Sequence, residues 1–410
     1  MAIDKLSAVL SASLHELQAQ GRRKGEEDII SSITPAGSDH GPRYFLAQYR
    51  DREFLAMNSN SYLGLSMHPQ VISAEEQAAR EFGTGPGAVR FISGTYQPHV
   101  TLEKKLAAFH GREAAMIFSA AYAAVMGILP PLIDKDTIVL SDSLNHNSII
   151  NAIRLARPAR KLIYRHLDMG NLEEKIKSCI GQGKRLLVVT DGIFSMRGDY
   201  APLDQISALC RHYEEQFEQG IITVVDDSHG IGAFGQTGRG VEDFTNTRAD
   251  ILVATLGKAL GVNGGYVVAN QTVIDYLRET APFYIYSNPI TPAEAAAAEQ
   301  ALTLLDSHTG HQLLNRLRRL TDRFETGLRK LGFEILAGPH PIVPLMIRDT
   351  RKTAALVDHL FSQNILVTGL NFPVVPKGDE EIRFQVSASH TEQDIDYVLN
   401  VLAEFTQHDR

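Results

Sequence analysis

Asp250-Ile251-Leu252-Val253-Ala254-Thr255-Leu256-Gly257-Lys258-Ala259-Leu260-Gly261 reads as a short apolar strand running into a lysine set among small residues. An amine in that setting is open to an aldehyde and can form a Schiff base with it. Upstream, Val224-Val225-Asp226-Asp227-Ser228-His229-Gly230 is a second apolar strand that delivers carboxylates and an imidazole at its carboxyl end. Open α/β sheets bind ligands at that end of their strands, so the two segments together point to an α/β fold with a pyridoxal phosphate site.

That cofactor makes further demands on the chain. Its ring draws electrons only while the pyridine nitrogen stays protonated, which requires a carboxylate, and its aldehyde requires a lysine. Asp226 and Lys258 suit those roles. The phosphate needs backbone N–H groups, hydroxyls and a helix N-terminus, which the turn Ser119-Ala120-Ala121-Tyr122 before an apolar run offers, with Thr255 adding a hydroxyl. His146, in Asp142-Ser143-Leu144-Asn145-His146-Asn147-Ser148, is the candidate to lie against the ring. Each residue has a plainer reading: Asp226-Asp227 as a turn cap, His146 and His229 as satisfied core histidines, Lys258 as a solvated surface lysine. Their order favours the site: strand, acid, imidazole, strand, hydroxyl, lysine, each at a strand end.

Around these segments short β-rich runs alternate with helical stretches, at Ala115 to Phe118, Thr137 to Leu140, Lys161 to Tyr164, Leu186 to Thr190, Ile221 to Val225, Ile251 to Ala254 and Gly265 to Val268. That rhythm predicts a mostly parallel seven-stranded sheet covered by helices. The Ala-rich stretch Pro292 to Leu305 reads as a long helix leading to a smaller unit. There Leu313 to Leu331, Arg351 to Gln363 and Glu392 to Glu404 look helical, and Ile342 to Ile347, Ile365 to Val367 and Ile382 to Val386 look like strands. The expected division is an N-terminal helix and arm over 1–50, a large domain over 51–295 and a small α+β domain over 296–410.

A chain of 410 residues with 44% hydrophobic residues can bury a large core. Its formal net charge of -8 gives no general attraction to nucleic acid. The two cysteines, Cys179 and Cys210, lack metal-ligand spacing and suit a reducing compartment. His308 and His311 have no acidic or thiolate partners in register, so no metal site is expected. Ile3, Leu6, Leu10, Leu14 and Leu17 recur at helical spacing before Gly21 and predict an amphipathic helix over 1–20 rather than a signal-peptide core. No apolar run approaches the ~20 residues of a membrane-spanning helix, and the expected location is the cytoplasm.

Longer segments carry a family resemblance. Asn60-Ser61-Tyr62-Leu63-Gly64-Leu65, Val89-Arg90-Phe91-Ile92-Ser93-Gly94-Thr95 followed by His99 and Leu102-Glu103, Asp142 to Ile150, Thr190 to Gly198, Asp226 to Gly232 and Thr255 to Gly261 resemble, in order and spacing, the α-oxoamine synthases. Pro373 to Gly378 and Ile382 to Ala388 extend the likeness. The chain differs from the family pattern at Ala121, Val125 and Arg197, where a small polar residue, an asparagine and an acid are usual.

The resemblance implies a fold-type I transferase dependent on pyridoxal 5'-phosphate that condenses a small amino acid, glycine favoured, with an acyl-CoA, acetyl-CoA favoured. It implies that Lys258 holds the cofactor as a Schiff base and removes the Cα proton, and that Asp226 pairs with the pyridinium nitrogen. It places His229 and Ser195 near the phenolic oxygen and stacks His146 on the ring. Thr255 and the backbone at Ala121 and Tyr122 would hold the phosphate, with Ser287 contributed by the second subunit of a homodimer. Arg383 would grip the amino-acid carboxylate, a task suited to a planar charged fork, and Asn60 is a further substrate contact. Plainer readings of these last three are a surface strand residue, a helix-entry cap and a turn former. A sister activity using alanine or serine with a longer acyl thioester would share nearly all these residues, an aminotransferase would share the lysine and aspartate, and a non-catalytic subunit would keep only the fold.

Overall fold

The computed structural model describes residues 1–20, 22–23, 26–372 and 374–408; Gly21, which closes the predicted first helix, and Pro373, in the carboxyl-terminal family segment, lie outside them. The chain opens with the helix Ala2–Ala19 and continues through β1 (Ile30–Thr34), β2 (Arg43–Leu46) and β3 (Tyr49–Ala56). These three strands were not foreseen, because β1 is exposed along almost its whole length and carries no apolar alternation to read. The first helix forms where the heptad-like spacing predicts it, yet Ile3, Leu6, Leu10 and Leu14 all stay exposed.

The seven apolar runs are the seven strands of one sheet. They are β4 (Ala114–Phe118), β5 (Thr137–Asp142), β6 (Arg160–Tyr164), β7 (Arg185–Asp191), β8 (Ile221–Asp226), β9 (Ile251–Thr255) and β10 (Gly265–Ala269). Their order is β4-β10-β9-β8-β7-β5-β6, and only β10 runs antiparallel to its neighbours. The pleat sends alternate residues to opposite faces. On β9, Ile251 and Val253 pack with the helices Ala121–Leu132, Asn147–Ala156 and Gln271–Thr280, while Leu252 and Ala254 pack with Gln97–His110 and Pro292–Leu305. Burial on both faces explains why these strands, the largely exposed edge strand β6 apart, read as continuous apolar runs rather than alternating ones.

The remaining strands are β11 (Ile342–Met346), β12 (Ile365–Leu366), β13 (Thr368–Leu370) and β14 (Glu381–Gln385). A three-stranded sheet has the order β11-β14-β13, and β12 instead joins β3 in parallel to complete a four-stranded sheet β1-β2-β3-β12. The single strand expected over Ile365 to Val367 is therefore two short ones serving different sheets. Central β14 carries Arg383 opposite Pro344 of β11 and Thr368 of β13. The helix Pro292–Leu305 begins with a capping box, Thr291 to Glu294, and packs between the helices Pro69–Phe82 and Gln97–His110 before the long helix His308–Lys330. Glu103, in one of the family segments, is buried and bonded to Arg90 at 3.1 and 3.2 Å and to Arg278 at 2.9 Å, so that segment works as a buried ion-paired brace. No helix among the described residues is long and apolar enough to cross a membrane.

Candidate active site

Parallel strands deliver their carboxyl ends to one edge of the sheet, and there a cavity of about 300 Å³ opens. Its lining brings together Ala121, Tyr122, His146, Ser195, Asp226, His229, Thr255 and Lys258, with Asp191, Ile193 and Ser228 added. A larger cavity, about 840 Å³, lies at the opposite edge against Arg185 and Asp250, and none of these residues reaches it. Chemistry rather than size therefore selects the smaller one.

Lys258 follows β9 through Leu256 and Gly257. Burial lowers its amine to about 8 against the opposing pull of Asp226 and Asp191, so a useful fraction is neutral near physiological pH. Asp226 ends β8, where Ser228 donates to its Oδ1 from the backbone at 3.1 Å and from the hydroxyl at 2.6 Å. The next residue, Asp227, is turned away into the core, where the Val241 N–H donates to Oδ2 at 2.7 Å. Burial pushes the Asp227 carboxyl well above its ordinary range. The Asp226-Asp227 pair thus divides into one residue for the cavity and one for the fold.

His146 precedes the helix Asn147–Ala156 and caps it, with Nδ1 accepting from the Ser148 N–H at 3.3 Å. Its backbone N–H donates to Asp191 Oδ2 at 2.9 Å, and Asn145 Oδ1 accepts from the Asp191 N–H at 2.8 Å, which fastens the loop to the end of β7. The imidazole is exposed to the cavity, and burial of its surroundings lowers its pKa, aided by the Lys258 charge and opposed by Asp226. Neutral and fixed at one end, it lies open to the cavity.

At the other end of the cavity the helix Ala121–Leu132 begins. Its first intrahelical bond is from the Ala124 N–H to the Ala120 carbonyl, at 2.9 Å, so the N–H groups before it lack an intrahelical partner and suit a phosphate. Gly265 permits this close approach, since a Cβ there would lie 2.3 Å from the Ala121 nitrogen. Thr255 Oγ1 accepts from the Gly257 N–H at 3.0 Å and donates to the Gly264 carbonyl at 3.1 Å. Amine, carboxylate, imidazole and helix N-terminus are the donor set that pyridoxal phosphate requires, and they share one cavity.

Three expected residues lie outside that lining. Arg383 stands beside it: Nη1 donates to the Ser195 carbonyl at 2.9 Å. Asn60 lies further back, where one atom of its side-chain amide meets both the Gln385 amide at 2.8 Å and the Tyr62 hydroxyl at 3.2 Å. Ser287 is not brought to the cavity by its own chain; its neighbour Tyr286 is 80% exposed. Val125 is buried in the helix beneath the phosphate end, and Arg197 pairs with Asp199 at 3.0 Å.

Sequence reasoning passed over Asp191, although it ends an apolar strand at the register position beside Asp226, a readable signal. It also missed His166, whose Nδ1 lies 2.9 Å from Asp142 and whose Nε2 lies 3.1 Å from Asp199. Asp142 heads the His146 loop and Asp199 closes the loop bearing Ser195, so His166 ties together two walls of the cavity. Burial alone would lower its pKa, but the bonds to Asp142 and Asp199 outweigh that and raise it to about 9. A raised folded-state value stabilises fully below the unfolded value of about 6.5 and is lost as pH rises through about 9. The denaturation midpoint should therefore fall between those pH values, and the fall should be smaller in His166→Gln; equal slopes would contradict the bridge.

The family described as aminotransferase class I and II matches residues 52–402. Human mitochondrial 2-amino-3-ketobutyrate coenzyme A ligase is 39% identical over 407 residues, covering 98% of this chain and 93% of that protein. The 8-amino-7-oxononanoate synthase of Geobacter sulfurreducens is 38% identical over 396 residues, covering 96% and 97%. A solved structure of SPT with its PLP internal aldimine is 26% identical and aligns with a TM-score of 0.84 over 96% of each chain. Fold and relatives define a fold-type I, pyridoxal-phosphate-dependent transferase. Within that class the chain belongs to the α-oxoamine synthases, enzymes of the acyltransferase type.

Proposed function

We propose that the protein condenses glycine with acetyl-CoA to give a 2-amino-3-keto acid and CoA, the reaction of a glycine C-acetyltransferase. The observation that carries this choice is the 39% identity, across nearly both full lengths, with 2-amino-3-ketobutyrate coenzyme A ligase. A second reading, alanine or serine with a longer acyl thioester, is favoured by the 38% identity with an 8-amino-7-oxononanoate synthase.

When bound, pyridoxal phosphate supplies an electrophilic aldehyde and an electron-accepting ring. Lys258 would hold the aldehyde, and its Nζ, beside the substrate Cα, would take the proton from that carbon. An amine lowered to about 8 is suited to that transfer near neutral pH. Asp226, its carboxylate held by Ser228, would pair with the pyridine nitrogen, and His146 would cover one face of the ring. His229 and Ser195 would hold the phenolic oxygen, and Thr255 with the N–H groups at Ala121 and Tyr122 would take the phosphate. Arg383 receives the substrate carboxylate on hydrogens not committed to Ser195, with Asn60 behind it. Loss of the Cα proton makes that carbon the nucleophile for the thioester carbonyl, and CoA departs as the thiol.

The working unit is a homodimer with a shared site. Ser287 would reach the cavity of the second subunit, and the exposed Phe91, Ile92 and Tyr286, with the uncovered stripe of Ala2–Ala19, are apolar surface for a second copy to bury. The division into arm, large domain and small domain at 50/51 and 295/296 is the organisation we assign, and two buried free cysteines suit a cytoplasmic location.

Thiol release measured with glycine, alanine or serine, each paired with acetyl-CoA or a longer acyl-CoA, tests the substrate choice. Glycine with acetyl-CoA should release thiol fastest and stoichiometrically. Release only with alanine or serine and a long acyl group would overturn it in favour of the sister activity, and amino transfer without thiol would overturn both.

A further inference from the structure

Behind the cavity runs a buried chain of polar side chains with a defined direction. Arg383 can only donate, so the Gln385 atom facing it must be the oxygen. In that orientation Gln385 Oε1 accepts from Arg383 Nη2 at 2.9 Å and Gln385 Nε2 donates to the Asn58 carbonyl at 2.8 Å; Asn60 Oδ1, 2.8 Å from Gln385 Oε1, cannot donate to it, so the Asn60 amide must be turned as well to put its nitrogen there. So turned, Asn60 Nδ2 donates to the Tyr62 hydroxyl oxygen across the 3.2 Å that otherwise separates the hydroxyl from Asn60 Oδ1. The one proton of Tyr62 is left for His229 Nδ1, at 2.8 Å.

His229 is closed off from behind as well. His340 Nδ1 accepts from the Ile342 N–H at 3.2 Å, which assigns its own hydrogen to Nε2, and that nitrogen donates to the His229 carbonyl at 2.9 Å. Tyr62 is fully buried, and burial pushes its hydroxyl pKa up, so it keeps its proton. Burial and the neighbouring Lys258, His340, Arg383 and His146 all hold His229 neutral, well below the ordinary imidazole range. A neutral imidazole that accepts at Nδ1 carries its hydrogen at Nε2.

We propose that Tyr62 is a positioning residue: directed by the chain Arg383, Gln385, Asn60, its hydroxyl holds His229 in the tautomer that presents Nε2–H to the phenolic oxygen of the cofactor. This rests on the placement of His229 under Proposed function. It also links the group that grips the substrate carboxylate to the group that faces the ring, through hydrogen bonds alone.

The test is a pH titration of the visible absorption of the holoenzyme. In Tyr62→Phe the donor to Nδ1 is gone, the tautomer is no longer fixed, and the phenolic oxygen loses a reliable hydrogen bond. The apparent pKa of the Schiff-base band should rise by about one unit, the size expected when a charged oxygen loses one hydrogen bond. A folded Tyr62→Phe enzyme whose titration superimposes on that of the unaltered protein would overturn the proposal. Should that variant not fold, neutron diffraction from the unaltered, deuterated protein decides: deuterium on His229 Nε2 and on the Tyr62 oxygen toward Nδ1 supports it, and deuterium on His229 Nδ1 overturns it. A protein that develops no visible cofactor band would remove the Lys258 assignment instead, leaving the neutron result to judge Tyr62.

Discussion

Lys258→Ala should lose at least about 1,000-fold in turnover while still binding pyridoxal phosphate noncovalently. Two losses combine: the covalent hold on the aldehyde and the amine that takes the Cα proton, and positioned proton transfer alone contributes about 100- to 10,000-fold. The fold should survive, because Lys258 faces a cavity and the core beneath it is made by Leu256, Ala259 and Leu260. Melting temperature and cofactor affinity separate this outcome from misfolding. Turnover equal to that of the unaltered enzyme would refute both roles of the lysine.

Arg383→Ala should raise the KM for the amino acid about 10- to 100-fold, leaving the KM for acyl-CoA nearly unchanged. Hydrogen bonds to a charged group contribute about 1.5–3 kcal/mol each, which converts to that range. The guanidinium already donates to Ser195 at 2.9 Å and faces Gln385, so it is oriented before substrate arrives and keeps further hydrogens for a carboxylate. Arg383→Lys should fall between, since a point charge cannot reproduce the fork. An equal rise in both KM values would show that Arg383 supports the cavity without touching the amino acid.

The central sheet was legible because its strands, the edge strand β6 apart, are buried on both faces and stand out as apolar runs such as Leu186 to Thr190. The residues that line the candidate site were legible because they end those runs: Asp226 ends β8, and Lys258 follows β9 by only a short turn. What escaped notice has a different physical basis. Strand β1 gains its place by pairing with β2 rather than by burying side chains, so no periodicity marks it. His166 acts through Asp142 and Asp199, which lie 24 and 33 residues away in the chain, and that geometry exists only after the sheet forms. Tyr62 was in view as part of a family segment, but its meaning depends on His229, 167 residues further on. Ser287 is the converse case: the sequence marked it, and its own cavity does not contain it.

Borohydride reduction of the yellow holoenzyme, followed by proteolysis and mass spectrometry, would fix the cofactor to whichever amine carries it. The phosphopyridoxyl group should appear on the peptide containing Lys258 and on no other lysine. Stoichiometric labelling at a different lysine, or reduction that leaves every lysine unmodified, would contradict the site described here.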